Sequence, residues 1–200
     1  AQSLAPRLVR ALDRAVSYSE GVLAYGRTQE PPPARRRLHL RPLVDEVHSL
    51  LGLDEVSRVE FVNAVEPGFE VDADPEQLFR VLSNLARNAV QAMAGNGSGV
   101  LVRRLTIGAE REGGITRILV EDTGPGLPQK ARDNLFSAFR GSARSGGTGL
   151  GLAIAHELVR AHGGTLELVE SRGGRTVFAI SIPDRPIDLA QARDTLRRPA

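Results

Sequence analysis

The chain has 200 residues, 41% apolar and 25% charged, proportions that support a packed core and exclude wholesale disorder. It has no cysteine, which excludes a disulfide scaffold, a thiol nucleophile and any cysteine-ligated metal centre. The net charge of +2 is unevenly spread: residues 1–41 carry eight Arg against Asp13, Glu20 and Glu30, whereas residues 42–200 carry 18 basic and 21 acidic side chains. With aromatics at only 4% to stack on bases, no nucleic-acid partner is expected. No apolar run is long enough to cross a bilayer, and the chain starts at Ala1 with no leader, so it reads as a fragment of a longer protein that makes no membrane contact of its own.

Residues 1–30 predict a helical stalk. Leu4, Leu8, Ala11, Ala15, Tyr18, Val22 and Tyr25 recur at spacings of four and three, a heptad seam that favours a helical hairpin or dimer bundle over packing on its own domain. Pro31-Pro32-Pro33 stop the helix, and residues 31–36 read as a linker in which Arg35, Arg36 and Arg37 are solvated. A second domain spans 37–183. Leu38 and Leu40 alternate as in a short strand, and Pro42 fits the first turn of a helix to about Leu53. Strands are expected around Val59 and Phe61 and over 69–71. Asp74-Pro75 has the form of an N-cap followed by proline at the first helical position, and Leu78, Val81, Leu82, Leu85, Ala89 and Met93 keep helical spacing until Gly95–Gly99. Two alternating runs, 100–110 and 115–121, flank Gly113-Gly114. Residues 123–149 show little period. A helix from about Leu150 to His162 ends at Gly163-Gly164, with His162 at the negative end of its dipole. Strands 165–169 and 176–182 form a hairpin over Arg172-Gly173-Gly174, and 184–200 read as a polar tail. The mixture of helices and hairpins favours a two-layer α/β sandwich over a doubly wound sheet.

Three segments carry chemistry. Gly146-Gly147-Thr148-Gly149-Leu150-Gly151 precedes a helix, where free backbone N–H groups and the dipole suit a phosphate. It is neither a Walker loop nor the dinucleotide fingerprint: Lys130, the only lysine, has no preceding Gly, and the residue three after Gly149 is Leu152. Asn84 and Asn88, four apart on a strongly apolar helix, share a face and suggest a polar partner such as a hydrated metal or a phosphate, unless they cap neighbouring loops. Asp122 ends an apolar strand, where it could accept from an exocyclic amine or simply start a turn.

In order and spacing these segments resemble the ATP-binding domain of the GHKL superfamily, specifically that of sensor histidine kinases. RVLSNLARNAVQAM at 80–93 resembles its N box, DTGPG at 122–126 its G1 box, LFSAF at 135–139 its F box and GTGLGLAI at 147–154 its G2 box; HGG at 162–164 and GRTVF at 174–178 match the turn and strand that follow. The resemblance implies a two-layer sandwich that binds ATP and Mg²⁺. It assigns Asn88 to the metal and Asn84 to the same site. Asp122 would take the adenine amine, with Gly124, Gly126, Leu127 and Thr176 around the ring, Thr176 acting through water. Residues 127–148 would form a lid. Phe139, Arg140, Gly147, Thr148, Gly149, Leu150 and Gly151 would face the nucleotide. Gln91 stands where many relatives carry Lys, so Arg87, Arg140 or Arg144 is left to meet the γ-phosphate.

The ATP-hydrolysing relatives carry a Glu base four residues before the metal Asn. Asn84, an amide, cannot take that proton, which favours phosphoryl transfer to a protein group, with Asn84 and Arg140 catalytic. The family's acceptor is a histidine on a dimerisation helix. His39, His48, His156 and His162 lack its context, so the stalk reads as the second helix of that hairpin and the acceptor helix as missing from the fragment. The implied partners are that helix, in the same or a partner protomer of a homodimer, and a response-regulator receiver domain. The implied location is the cytoplasm, with any inner-membrane anchor elsewhere in the full-length protein. A Ser/Thr kinase of the same superfamily and a degenerate phosphorelay scaffold are the alternatives.

Overall fold

The computed structural model describes residues 31–53, 58–94, 102–136 and 150–185. The stalk, Gly95–Gly99, Phe139, Arg140, residues 141–149 and the tail beyond 185 lie outside these.

The elements run β1 (Arg36–His39), α1 (Leu40–Leu51), β2 (Val59–Asn63), β3 (Glu70–Ala73), α2 (Pro75–Met93), β4 (Arg103–Glu112), β5 (Ile115–Asp122), α3 (Gln129–Arg132), α4 (Gly151–Ala161), β6 (Thr165–Arg172) and β7 (Arg175–Pro183). Five strands form one sheet in the order β2-β4-β5-β7-β6, antiparallel except for the parallel β2–β4 pair; β1 and β3 make a separate antiparallel ribbon.

Helices α1, α2 and α4 cover one face of the large sheet. Leu105, Ile107, Ile118, Val120, Phe178 and Ile180 supply the sheet side of the core, against Val44, Val47, Leu82, Leu85, Ala155 and Leu158 from the helices. The other face is laced with ion pairs, Glu60–Arg104, Glu110–Arg117 and Glu121–Arg175–Glu170, as suits an antiparallel sheet open to water on one side. The expected two-layer sandwich is therefore the architecture found.

Element boundaries moved in informative ways. The strand predicted over 69–71 is 70–73, because it pairs with β1 from His39↔Glu70 to Arg36↔Ala73. The predicted strand 165–169 runs on to Arg172 because Val169 is an extra residue, a bulge between the Leu168↔Phe178 and Glu170↔Val177 pairs. Among its described residues, the stretch from 123 holds one helical turn, α3.

Arg35 corrects the solvated-linker reading. Its guanidinium donates to the carbonyls of Asp72 (2.9 and 3.2 Å), His162 (2.7 Å) and Pro183, and lies 3.3 Å from the Asp72 carboxylate. Arg36 and Arg37 are exposed as expected. The start of the polar tail is also fastened: the Arg185 backbone N–H and guanidinium donate to Asp72, at 2.9–3.1 Å.

His162, at the expected helix end, is enclosed by its neighbours. It is 3% exposed; its Nδ1 donates to the Leu158 carbonyl at 2.8 Å, and its Nε2 accepts the Asp74 N–H at 3.0 Å. A backbone N–H can only donate, so Nε2 is unprotonated and the ring is neutral. Burial, reinforced by the Arg35 charge, holds its pKa below the usual histidine value against the opposing pull of the Leu158 carbonyl, Asp74 and Asp72.

Candidate nucleotide-binding site

Helix α2 starts where the sequence says it should. Asp74 Oδ1 accepts from the N–H groups of Glu76 and Gln77, both at 3.0 Å, and Pro75 needs no partner for a missing N–H. The apolar residues of α2 face the sheet and its neighbouring helices. Asn84 and Asn88 fall at the margin of that face, both half-buried; Gln91 is exposed. The first residue of α4, Gly151, lies against Asn84: a Cβ there would sit 3.5 Å from Asn84 Oδ1, an ordinary contact. The start of α4 and the amide margin of α2 are thus neighbours, and Leu150 is buried at the junction.

Asp122 closes β5 and is 5% exposed. Its Oδ1 accepts the Gly124 N–H at 2.8 Å, which folds the chain back immediately after the strand. A Cβ at Gly124 would lie 2.6 Å from that carboxylate oxygen, with Met93 and Ala92 close behind, so only glycine fits between Asp122 and the end of α2. Thr123 ties the turn down: its hydroxyl accepts the Arg104 N–H (2.9 Å) and donates to the Val102 carbonyl (2.6 Å). Gly126 has φ +79°, and a Cβ there would meet the Arg172 carbonyl oxygen at 2.9 Å. Buried Thr176 is the direct cross-strand partner of Asp122. The turn reading and the acceptor reading of Asp122 are compatible, since the Gly124 bond uses one oxygen of a carboxylate that has several acceptor positions.

The described candidates fall into two groups along α2. Asn84, Asn88 and Gly151 share one wall; Asp122, Gly124, Gly126, Leu127 and Thr176 gather at the end of the sheet, against the last turn of α2. Phe139, Arg140, Gly147, Thr148 and Gly149 lie outside the described residues. Phe136, the first aromatic of the F-box-like segment, stacks on His156 of α4, with centroids 4.6 Å apart. Among the described residues no group of three or more His, Asp or Glu gathers as a metal site. The hard oxygens at hand are amide carbonyls, a donor set that suits a cation held mostly by water and phosphate. The sequence reading missed Ser171, whose hydroxyl accepts the Leu127 N–H at 2.7 Å. The Ser signal was present, but its placement depends on the bulge before it.

Such a sandwich, with a glycine turn after an acidic strand end and a glycine-started helix beside an amide-bearing one, defines a class. Residues 73–186 match the family of histidine kinase-, DNA gyrase B- and HSP90-like ATPases, and the chain belongs to it. Among curated proteins it is 36% identical over 160 residues to the sensory histidine kinase/phosphatase NtrB of Shigella flexneri, covering 77% of this chain and 45% of that one. It is 34% identical over 114 residues to the sensor histidine kinase ZraS of Escherichia coli, covering 57% and 23%. The chain spans less than half the length of these curated relatives. Among solved structures it resembles full-length ShkA in complex with AMPPNP (TM-score 0.74, 27% identity, 91% of this chain and 38% of that one). It also resembles histidine kinase ThkA in complex with the response regulator TrrA (TM-score 0.69, 26% identity, 90% and 50%).

Proposed function

We propose that this chain is the ATP-binding catalytic part of a two-component sensor histidine kinase. It transfers the γ-phosphoryl group of ATP to a histidine on a dimerisation helix of the same or a partner protomer, for relay to a response-regulator receiver domain. The observation that carries the reading is that one helix, α2, meets both the start of α4 at Asn84 and the Asp122–Gly124 turn at Ala92 and Met93. The AMPPNP bound by ShkA and the regulator bound by ThkA support it by similarity.

In this reading the Asp122 carboxylate accepts the adenine amine, Thr176 supports that contact through water, and Gly126 lets the ring approach the backbone. The N–H groups at the start of α4 would face the phosphates, the role that the sequence resemblance also gives to Gly147, Thr148 and Gly149. Asn88 would hold Mg²⁺ through its amide oxygen, with Asn84 lining the same site. Bound there, the ion neutralises phosphate charge. Asn84 cannot act as a base toward water, so the site positions a phosphoryl group for a protein acceptor. Arg140 is the cation assigned to the transferring group. None of the four histidines has an acceptor's setting: His39 lies in β1, His48 stacks on Phe61, His156 stacks on Phe136, and His162 is buried and neutral.

Calorimetric titration with AMPPNP, with and without Mg²⁺, tests the reading. Binding should require Mg²⁺, weaken in Asp122→Asn and Asn88→Ala, and raise stability by about 2.7 kcal/mol at a hundredfold excess over the dissociation constant. Phosphohistidine should form when a separate acceptor helix is supplied. Wild-type protein that binds no nucleotide would sink the proposal.

A further inference from the structure

The bulge at Val169 has a consequence at the site. In a regular strand, residues 166, 168 and 170 share one face. With Val169 inserted, Leu168 still pairs with buried Phe178, but Glu170 pairs with Val177 and Ser171 with Thr176. Glu170 is turned to the open face, where its carboxylate lies 3.0 Å from Arg175, itself 3.1 Å from Glu121. Ser171 is turned to the helix-covered face. Asp122, Thr176 and Ser171 then form one row across β5, β7 and β6. Bulges of this kind re-aim side chains beside functional sites.

At the end of the row the β6–β7 hairpin grips the loop after Asp122 at three points. Ser171 Oγ accepts the Leu127 N–H at 2.7 Å, the Gly124 carbonyl accepts the Gly174 N–H at 2.9 Å, and Gly126 fits against the Arg172 carbonyl with no room for a Cβ. Two of these use only backbone; Ser171 is the one side chain that sets the grip. On the other face Arg175 forks onto Glu121 and pairs with Glu170, a network that ties β5, β6 and β7 together without reaching round to the Leu127 N–H.

We infer that Ser171 is a positioning residue of the nucleotide site: turned inward by the Val169 bulge, its hydroxyl holds the Leu127 backbone and so fixes how far the Gly124–Gly126 backbone stands from the Asp122–Thr176 pair, which sets the slot for the base. The inference rests on the nucleotide reading above and names a determinant of base recognition within it. Ser171 lies in the Asp122–Thr176 row and not at the start of α4, so its loss should act on the base.

The test compares wild type, Ser171→Ala and Ser171→Thr by calorimetry with Mg-AMPPNP and with the guanine analogue GMPPNP, alongside thermal melting and amide exchange at Leu127. Ser171→Ala should melt within a few degrees of wild type, speed Leu127 exchange, weaken AMPPNP binding about fivefold to tenfold and narrow the preference for adenine over guanine. Ser171→Thr, which keeps the hydroxyl, should restore all three. Unchanged AMPPNP affinity in Ser171→Ala, or an equal loss for both nucleotides, would overturn the inference while leaving the nucleotide reading intact. Failure of the wild type to bind AMPPNP would overturn that reading and this inference with it. If Ser171→Ala does not fold, slow Leu127 exchange in Ser171→Thr together with wild-type affinity still supports the role, and weakened binding there refutes it.

Discussion

His162 can be protonated only by placing a second donor against the Asp74 N–H, beside the Arg35 guanidinium. Its pKa in the fold lies below its unfolded value, so the unfolded chain binds the proton first as pH falls. The stabilisation is fully present above about pH 6.5 and drains away as pH drops from there toward the folded pKa. Urea unfolding between pH 7.5 and 5 should show a falling midpoint, and His162→Gln should be less stable at pH 7.5 but show a shallower decline. Asp72 behaves alike at lower pH. Burial raises its pKa, but the hydrogen bonds from Arg185 and the charges of Arg35 and Arg185 outweigh burial and hold it below the ordinary carboxylate value. Its contribution persists above about pH 4 and is lost below. Asp72→Ala leaves Arg35 buried beside carbonyls with no counter-charge and should cost about 3 kcal/mol in denaturant titrations.

At the scale of elements, α2 has the most to show. Its cap, its proline and its period lie in consecutive residues, and those local signals survive folding unchanged. Asp74 also accepts the Ala34 N–H at 2.8 Å through its other oxygen, so Asp74→Ala should exceed a simple cap loss and cost about 2 kcal/mol in thermal or urea unfolding. The turn after α4 is tighter: a Cβ on Gly164 would overlap the Ser181 carbonyl and crowd Val159. Gly164→Ala should destabilise by about 3 kcal/mol. β6 shows where reading from sequence fails. A bulge is two residues set against one on another strand, and alternation within β6 cannot reveal a partner's register. That is why Ser171 escaped notice while Asp122, on a regular strand ending in a recognisable turn, did not. Arg35 escaped for a related reason: its partners lie 37, 127 and 148 residues away, and three consecutive arginines look like a solvated run.

The whole domain is larger than its most recognisable part. The family match begins at residue 73, after β1, α1 and β2, yet Val44 and Val47 of α1 belong to the same core as Leu82 and Leu85 of α2. A fragment starting at 73 would expose that side of α2 and leave Asp72 and Arg35 behind. It should fail to unfold cooperatively by circular dichroism, whereas one covering 31–185 should melt in a single transition. The cap of α2 and the turn after Asp122 were legible because they sit in short runs with fixed local geometry, while the ties of Arg35 and Arg185 to Asp72 were not, because they join distant segments.

Asp72 receives Arg35 from the segment that enters the domain and Arg185 from the segment that leaves it, and Arg185 also donates to the Arg35 carbonyl at 2.7 Å. Entrance and exit are thus a single doorway, on the side where α2 begins, with the glycine turn of the site at the helix's far end. A unit hung from one doorway can be spliced into a surface loop of an unrelated host, or have its ends joined and be reopened elsewhere, without stretching its own frame. The same architecture predicts that flanking sequence can be changed without unfolding the unit as long as the two arginines and the aspartate that close the door stay with it.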